Sequence, residues 1–206
     1  MGVNLGVWPI PPVCPIIQNE LIPQGVTMTE LHAWQTFYNI VGSSAGALIG
    51  LQFVVMALIS SLPQNQRNAA NPEISAAATA FSTPTIVHFG TALVLSALLC
   101  APWPARFPLV CLIAAAGIFG LVYGLLITIR LRRQSAYRPE FEDWLFHAIL
   151  PLAANAALAA AAPLVLIEIH AGLFLLAAVL LGLMLIGIHN AWDSVTYHVF
   201  SRPNAG

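Results

Sequence analysis

Charged side chains are scarce in this sequence, and lysine is absent altogether. Only 7% of the 206 residues are charged, all seven cations are arginine, and 59% of the residues are apolar. Because a soluble domain is about one quarter charged, so few charges cannot cover a surface that faces water. Most of the surface is therefore expected to face the lipid bilayer. The net charge of −1 also argues against a nucleic-acid partner, which requires a basic patch.

Several sequence motifs of enzymes and cofactor sites are missing as well. The chain has no HExxH or CxxCH motif, and no glutamate followed three residues later by histidine. These absences remove the usual signals of zinc peptidases, c-type haem proteins and di-iron bundles. Residues 42–46 match GxSxG, but they lie within an apolar run of helix length and not at the strand-to-helix turn that a serine hydrolase requires, so serine hydrolysis is not favoured. Whether the protein is an enzyme stays open.

Five apolar stretches are long enough to cross a bilayer as helices, which takes about 20 residues each. They cover 34–60, 84–101, 107–129, 144–167 and 172–197. The fold class is therefore all-α, a polytopic transmembrane bundle of about five helices. We expect an irregular extracytoplasmic arm over 1–33, the five-helix domain over 34–199 and a cytoplasmic tail over 200–206. Residues 73–82 form either a short interfacial helix or an extension of the second helix.

The arginines predict the orientation of this bundle. With the amino terminus outside and the carboxyl terminus in the cytoplasm, only Arg106 lies outside. The other six then lie on the cytoplasmic side: Arg67, Arg130, Arg132, Arg133, Arg138 and Arg202. Cytoplasmic loops of membrane proteins carry this excess of cations. We expect an integral protein of a bacterial inner membrane.

Small residues predict how the helices pack. Two helices carry glycines at helical spacing: Gly42, Gly46 and Gly50 on the first, and Gly117, Gly120 and Gly124 on the third. Such faces let two backbones approach closely. Packing within one subunit is the favoured interpretation for the first helix, and packing between subunits the alternative, so we also expect a homo-oligomer or a larger membrane complex. The alanine-rich fourth helix suits the bundle centre, and the leucine-rich fifth suits lipid contact.

Each helix places one polar side chain within eight residues of its predicted cytoplasmic end, or at most about 12 Å deep. This polar layer comprises Gln52, His88, Tyr123, His147 and His189. Two acid–histidine pairs at a spacing of four share a helix face: Asp143 with His147, and His189 with Asp193. Further polar groups extend these stripes: Thr85, Asn155 and Tyr197.

Ionisable groups inside a membrane are costly, so they usually face the protein interior and mark functional sites. Any one of these residues has a structural explanation, such as helix capping or interhelical hydrogen bonding. The gathering of five at one depth is what favours a site near the cytoplasmic face.

Three functions fit such a site. The first is ion or proton transport, since histidine beside a carboxylate changes charge near neutral pH. The second is a membrane-embedded metal protein or metalloenzyme, with zinc, iron or manganese, or with a b-type haem held by His88 and either His147 or His189. The third is a non-catalytic subunit of a membrane complex. We favour transport, with His88, His147, His189 and Asp193 handling the proton or cation.

The three cysteines fall on the predicted outer side. Cys100 and Cys111 flank a short proline-rich link, so they could form a disulfide, or one could pair with Cys14. Three thiols acting as small apolar side chains is the favoured interpretation.

Overall fold

A computed structural model describes residues 25–61, 72–133 and 141–200, and five long helices make up this part of the chain. Side chains are described over 30–58, 83–132 and 141–196. The helices are α1 (Gly25–Ser61), α2 (Pro72–Cys100), α3 (Arg106–Arg133), α4 (Phe141–Ile167) and α5 (Ile169–Phe200). Those three segments contain no strand. All five helices are long and apolar enough to cross a membrane, which confirms the all-α, five-span prediction and fits an integral membrane protein.

Two helices begin earlier than predicted. Helix α1 begins at Gly25, so part of the segment assigned to the irregular arm is helical. Helix α2 begins at Pro72, so residues 73–82 extend it rather than form a separate interfacial helix. The part of α2 whose side chains are described, Thr83–Cys100, is apolar enough to cross a membrane. Residues 1–24 of the predicted arm (1–33) and residues 201–206 of the predicted tail (200–206) lie outside the described residues.

Helix α5 occupies the centre of the bundle. It packs on α2 and α4 and, over a smaller area, on α1, while the other main contacts are α1 with α2 and α3 with α4. Inside the bundle, 56% of its most apolar window is buried, against 33% for α4. Helix α5 is thus more buried than an expectation of lipid contact along its outer half implies, and α4 packs on both α3 and α5. Leucines at helical spacing explain the difference, because they form the buried stripe Leu173, Leu176, Leu180 and Leu183.

The glycine faces lie between helices of the same chain. On α1, Gly42 lies close to Ser96 of α2 and Gly46 lies beside Leu93, whereas Gly50 is exposed and has open space above it. On α3, Gly117 packs so tightly on α4 that an added Cβ would lie 2.6 Å from the backbone nitrogen of Ala159. Gly42, Gly46 and Gly117 thus pack against helices of the same chain.

Cys100 and Cys111 are both free thiols, so neither forms the disulfide considered above. The Cys100 thiol points at the carbonyl of Gln35 on α1, with 3.7 Å between sulfur and oxygen. Cys14 lies outside the described residues.

Candidate functional site

A narrow cavity lies between α2, α3 and α4, on the side of the bundle where α3 ends in Arg130, Arg132 and Arg133. We call this side the arginine-bearing end. Helices α2 and α3 touch little, and the cavity occupies the space between them. Four polar side chains from the sequence analysis line it: His88, Tyr123, His147 and Asn155. The volume open to the centre of a water molecule is about 10 Å³, which is room for about one water. We call it the His–Tyr cavity.

Two polar atoms in this cavity have no partner among the described residues. They are Nε2 of His88, whose side chain is 5% exposed, and the hydroxyl of Tyr123. The Tyr123 ring lies against Phe119 of the same helix, with 6.3 Å between ring centroids. Leaving such groups unpaired in a dry interior costs about 1–3 kcal/mol each, so both are poised to bind something that enters the cavity.

The inner end of the cavity is formed by Asn155. Its side-chain nitrogen donates a hydrogen bond of 2.8 Å to the carbonyl of Pro151. Its amide lies directly on the backbone of Gly120, where even a methyl group would overlap Oδ1. Glycine at position 120 therefore makes room for a buried amide, which gives that residue a role in the site as well as in helix packing.

His147 lies in a π-helical segment, Leu145–Ile149, inside α4. The amide of Leu150 donates to the carbonyl of Leu145, five residues back instead of four. Pro151 follows directly and has no amide hydrogen to restore the α-helical pattern. Such single-turn π segments occur frequently at functional sites, because they rotate side chains away from the regular helix stripe.

Asn190 of α5 binds this same segment and was not anticipated. It is fully buried, and its side-chain nitrogen donates to the carbonyl of Phe146 over 3.5 Å. The sequence could have indicated this residue, since the adjacent polar residues His189 and Asn190 interrupt an otherwise apolar helix.

His189 lies beside the cavity with two carboxylates. Its Nε2 is 3.0 Å from Oδ2 of Asp193 and 3.5 Å from Oε1 of Glu142, and its ring stacks on Phe146 with centroids 3.5 Å apart. We call His189, Asp193 and Glu142 the mouth group, because their side chains are 24%, 43% and 66% exposed. Sequence reasoning identified the first two residues but missed Glu142.

The other predicted site residues have separate positions. Asp143 lies near enough to His147 for electrostatic interaction, as their shared face predicted, and His147 also interacts with His88, His189 and Asp193. Gln52 on α1 and Thr85 on α2 are buried but do not line the cavity. The side chain of Tyr197 lies outside the described residues.

The metal and haem hypotheses find no support in the described part of the chain. No group of three or more histidine, cysteine, aspartate or glutamate side chains there could hold a metal ion. The cavity that His88 and His147 share has room for about one water, which is far too small for a porphyrin.

The opposite end of the bundle carries a second acid–histidine pair that sequence reasoning missed. Nε2 of His170, at the start of α5, lies 3.2 Å from a carboxylate oxygen of Glu30 on α1. Nearby, the buried Tyr38 hydroxyl donates to the carbonyl of Leu173 over 3.1 Å. The two residues of this pair are far apart in sequence, so helical spacing could not reveal them.

Comparison with family models, with characterised proteins and with solved structures gave no match for this chain.

Proposed function

We propose that this protein transports protons or a small cation across the membrane, and that the His–Tyr cavity and the mouth group form its ion site. The observation that carries the proposal is that His88 and His147, from different helices, line one buried cavity, with an acid-flanked imidazole beside it. Helix packing alone does not require three histidines from three helices in one place, because ionisable side chains inside a membrane are costly.

The order of these groups suggests how a proton enters. The exposed carboxylates Glu142 and Asp193 attract cations from water and hold His189 between them. His189 is close enough to interact with His147, which shares the cavity with His88. Because an imidazole can accept a proton on one nitrogen and release it from the other, this sequence of groups can pass a proton inward.

Beyond the cavity the bundle is closed by apolar packing. The buried core toward the opposite end consists of residues such as Leu95, Leu99, Ile113, Leu158, Leu176 and Leu180. A charge in such surroundings is expensive, so a permanently open pore does not fit. We therefore propose transport by alternation between states of the bundle, in which the described state is open to the arginine-bearing end.

Proton flux in proteoliposomes tests the proposal. With an internal pH dye and an imposed potential, the wild-type protein is expected to carry protons well above the leak of protein-free vesicles. Substitution His147→Gln removes the group that titrates and should lower this flux at least about tenfold, since a positioned acid–base group contributes 10²–10⁴ in rate.

His32→Gln is the matched control. His32 is an exposed histidine on α1 whose Nδ1 lies 3.3 Å from Gln35 of the same helix, far from the cavity. Flux in this variant should equal that of wild type. Equal flux in wild type and His147→Gln would contradict the proposal.

A further inference from the structure

The proposed function leaves open whether the ion is a proton or a small metal cation. The side chains that line the His–Tyr cavity favour the proton. No carboxylate is among the residues that line it, since Asp143, Glu142 and Asp193 all lie outside. Cation pathways for alkali metals use rings of carbonyl oxygens or of Asp and Glu side chains. The described cavity offers instead two imidazoles, a phenol and an amide, and imidazole is a ligand for transition metals and for protons rather than for sodium or potassium.

The cavity also offers few side-chain oxygen atoms, those of Thr91, Tyr123 and Asn155. The hydroxyl of Thr91 donates to the carbonyl of Val87 over 2.8 Å, and the amide of Asn155 is held between Pro151 and Gly120. A dehydrated alkali cation needs several oxygens converging on one point, and this cavity does not supply them. Nε2 of His88 and the hydroxyl of Tyr123 have no hydrogen-bond partner among the described residues. A small molecule that both donates and accepts hydrogen bonds would satisfy both groups.

We infer that the His–Tyr cavity binds a single water molecule between Nε2 of His88 and the hydroxyl of Tyr123, and that this water carries a proton from His147 to His88. The inference rests on the proposed transport function and names its permeant, the proton. The volume of the cavity matches one water, and a water with three or more polar neighbours is stably held in a protein interior.

The transfer balances with this one water. Protonated His147 gives a proton to the water oxygen, and the water gives one of its own protons to the lone pair on Nε2 of His88, whose other proton is on Nδ1. The products are neutral His147, protonated His88 and an unchanged water. Tyr123 is a positioning residue: its hydroxyl holds the water in line and exchanges no proton.

Tyr123→Phe tests this role because it deletes only the hydroxyl. Proton flux should fall about tenfold, since the loss of one hydrogen bond to the transferring water costs about that factor in rate. Tyr38→Phe is the matched control, because it deletes a buried tyrosine hydroxyl that lies near the opposite end and binds the Leu173 carbonyl. It should leave proton flux unchanged, and thermal unfolding of both variants shows that they are folded.

Flux of sodium and potassium is measured in the same vesicles with cation-sensitive dyes. Both should stay at the level of protein-free vesicles in wild type and in every variant. If an alkali cation crosses with wild type and is lost in Tyr123→Phe, the protein is a transporter but the inference about its permeant is wrong.

Infrared difference spectra give a readout that does not depend on transport. Exchange into oxygen-18 water should shift a water stretching band in wild type and in Tyr38→Phe, and this band should be missing from Tyr123→Phe. If all three proteins show the band, no water is held by Tyr123 and the inference fails, whatever the flux. If the band behaves as expected but no proton flux is found, the water site stands and the proposed transport function fails.

Discussion

At the scale of single residues, the position of His189 is set by three neighbours rather than one. Asp193 comes from the same helix one turn away, Glu142 comes from the start of α4, and the Phe146 ring covers one face of the imidazole. The two carboxylates are partly exposed, so their attraction for the imidazole is screened by water and salt. Their larger contribution is expected to be the local concentration of protons and cations at the entrance.

Neutralising the mouth group should therefore slow proton entry. Asp193→Asn and Glu142→Gln each leave one carboxylate beside His189, so each should lower proton flux by only a few-fold at low salt, and the double variant should lower it further. Initial flux rates at low and high ionic strength measure this. Glu168→Gln, an exposed carboxylate at the opposite end, is the control. Loss of flux that is independent of salt would contradict an electrostatic role.

Of the contacts around His189, the sequence predicts only the one with Asp193. A spacing of four on a helix predicts the contact between His189 and Asp193, because the helical period brings those side chains onto one face. Glu142, Phe146 and Asn190 depend on how α4 is rotated against α5, which no spacing within one helix specifies. The carboxylate of α4 that lies across from His189 is that of Glu142, just before the π-helical segment Leu145–Ile149.

At the scale of helices, the contact of α3 with α4 determines the shape of the cavity. Gly117, Gly120 and Gly124 bring the backbone of α3 against Ala159, Asn155 and Leu152 of α4 in that order. The middle contact is the one that matters for the site, because the Asn155 amide occupies the space that a side chain at position 120 would need.

Gly120→Ala should therefore lower the stability of the protein and distort the His–Tyr cavity. Its methyl group would overlap Asn155, and overpacking of a close contact typically costs about 1–3 kcal/mol. The melting temperature in detergent should fall, and the double variant Gly120→Ala/Asn155→Ala should recover part of the loss because the amide is gone. Gly50→Ala is the control, since nothing lies within 4 Å of an added Cβ there. An unchanged melting temperature for Gly120→Ala would contradict the described packing of α3 on α4.

The sequence predicts that the five helices form, but it does not predict which of them lies at the centre of the bundle. Five apolar runs long enough to cross a bilayer leave little choice of secondary structure, and all five are helices. The early start at Gly25 was missed because residues 25–33 are less apolar than a span, although nothing in them prevents a helix. The extension of α2 over 73–82 was one of two alternatives, between which the sequence did not decide. The central position of α5 was missed because leucine suits lipid and protein interior equally well.

At the scale of the whole molecule, each end of the bundle has an acid–histidine pair that joins α5 to another helix. His189 contacts Glu142 of α4 at the arginine-bearing end, and His170 contacts Glu30 of α1 at the opposite end. The two histidines are separated by about 28 Å along the helix at the usual rise, close to the thickness of the hydrocarbon core. Helix α5 thus carries a histidine paired with an acid of another helix near each end of the bundle.

The orientation predicted from the arginines can be tested by labelling. In a background without Cys14, Cys100 and Cys111, a membrane-impermeant maleimide added to intact cells should label Ala105→Cys but not Ala136→Cys. Labelling of Ala136→Cys should appear only after the membrane is permeabilised. The reverse pattern would place the arginine-bearing end outside, and the proton would then enter from that side.

A double-mutant cycle on proton flux tests most directly whether His88 and His147 act in one path. If they do, His88→Gln and His147→Gln each interrupt the same path. Proton flux in the double variant should then be no lower than in the more impaired single variant, because the second substitution removes nothing that the first has left intact. A double variant whose loss equals the product of the two single losses would show independent roles, and wild-type flux no greater than that of protein-free vesicles would show no path at all. Either result would contradict the account.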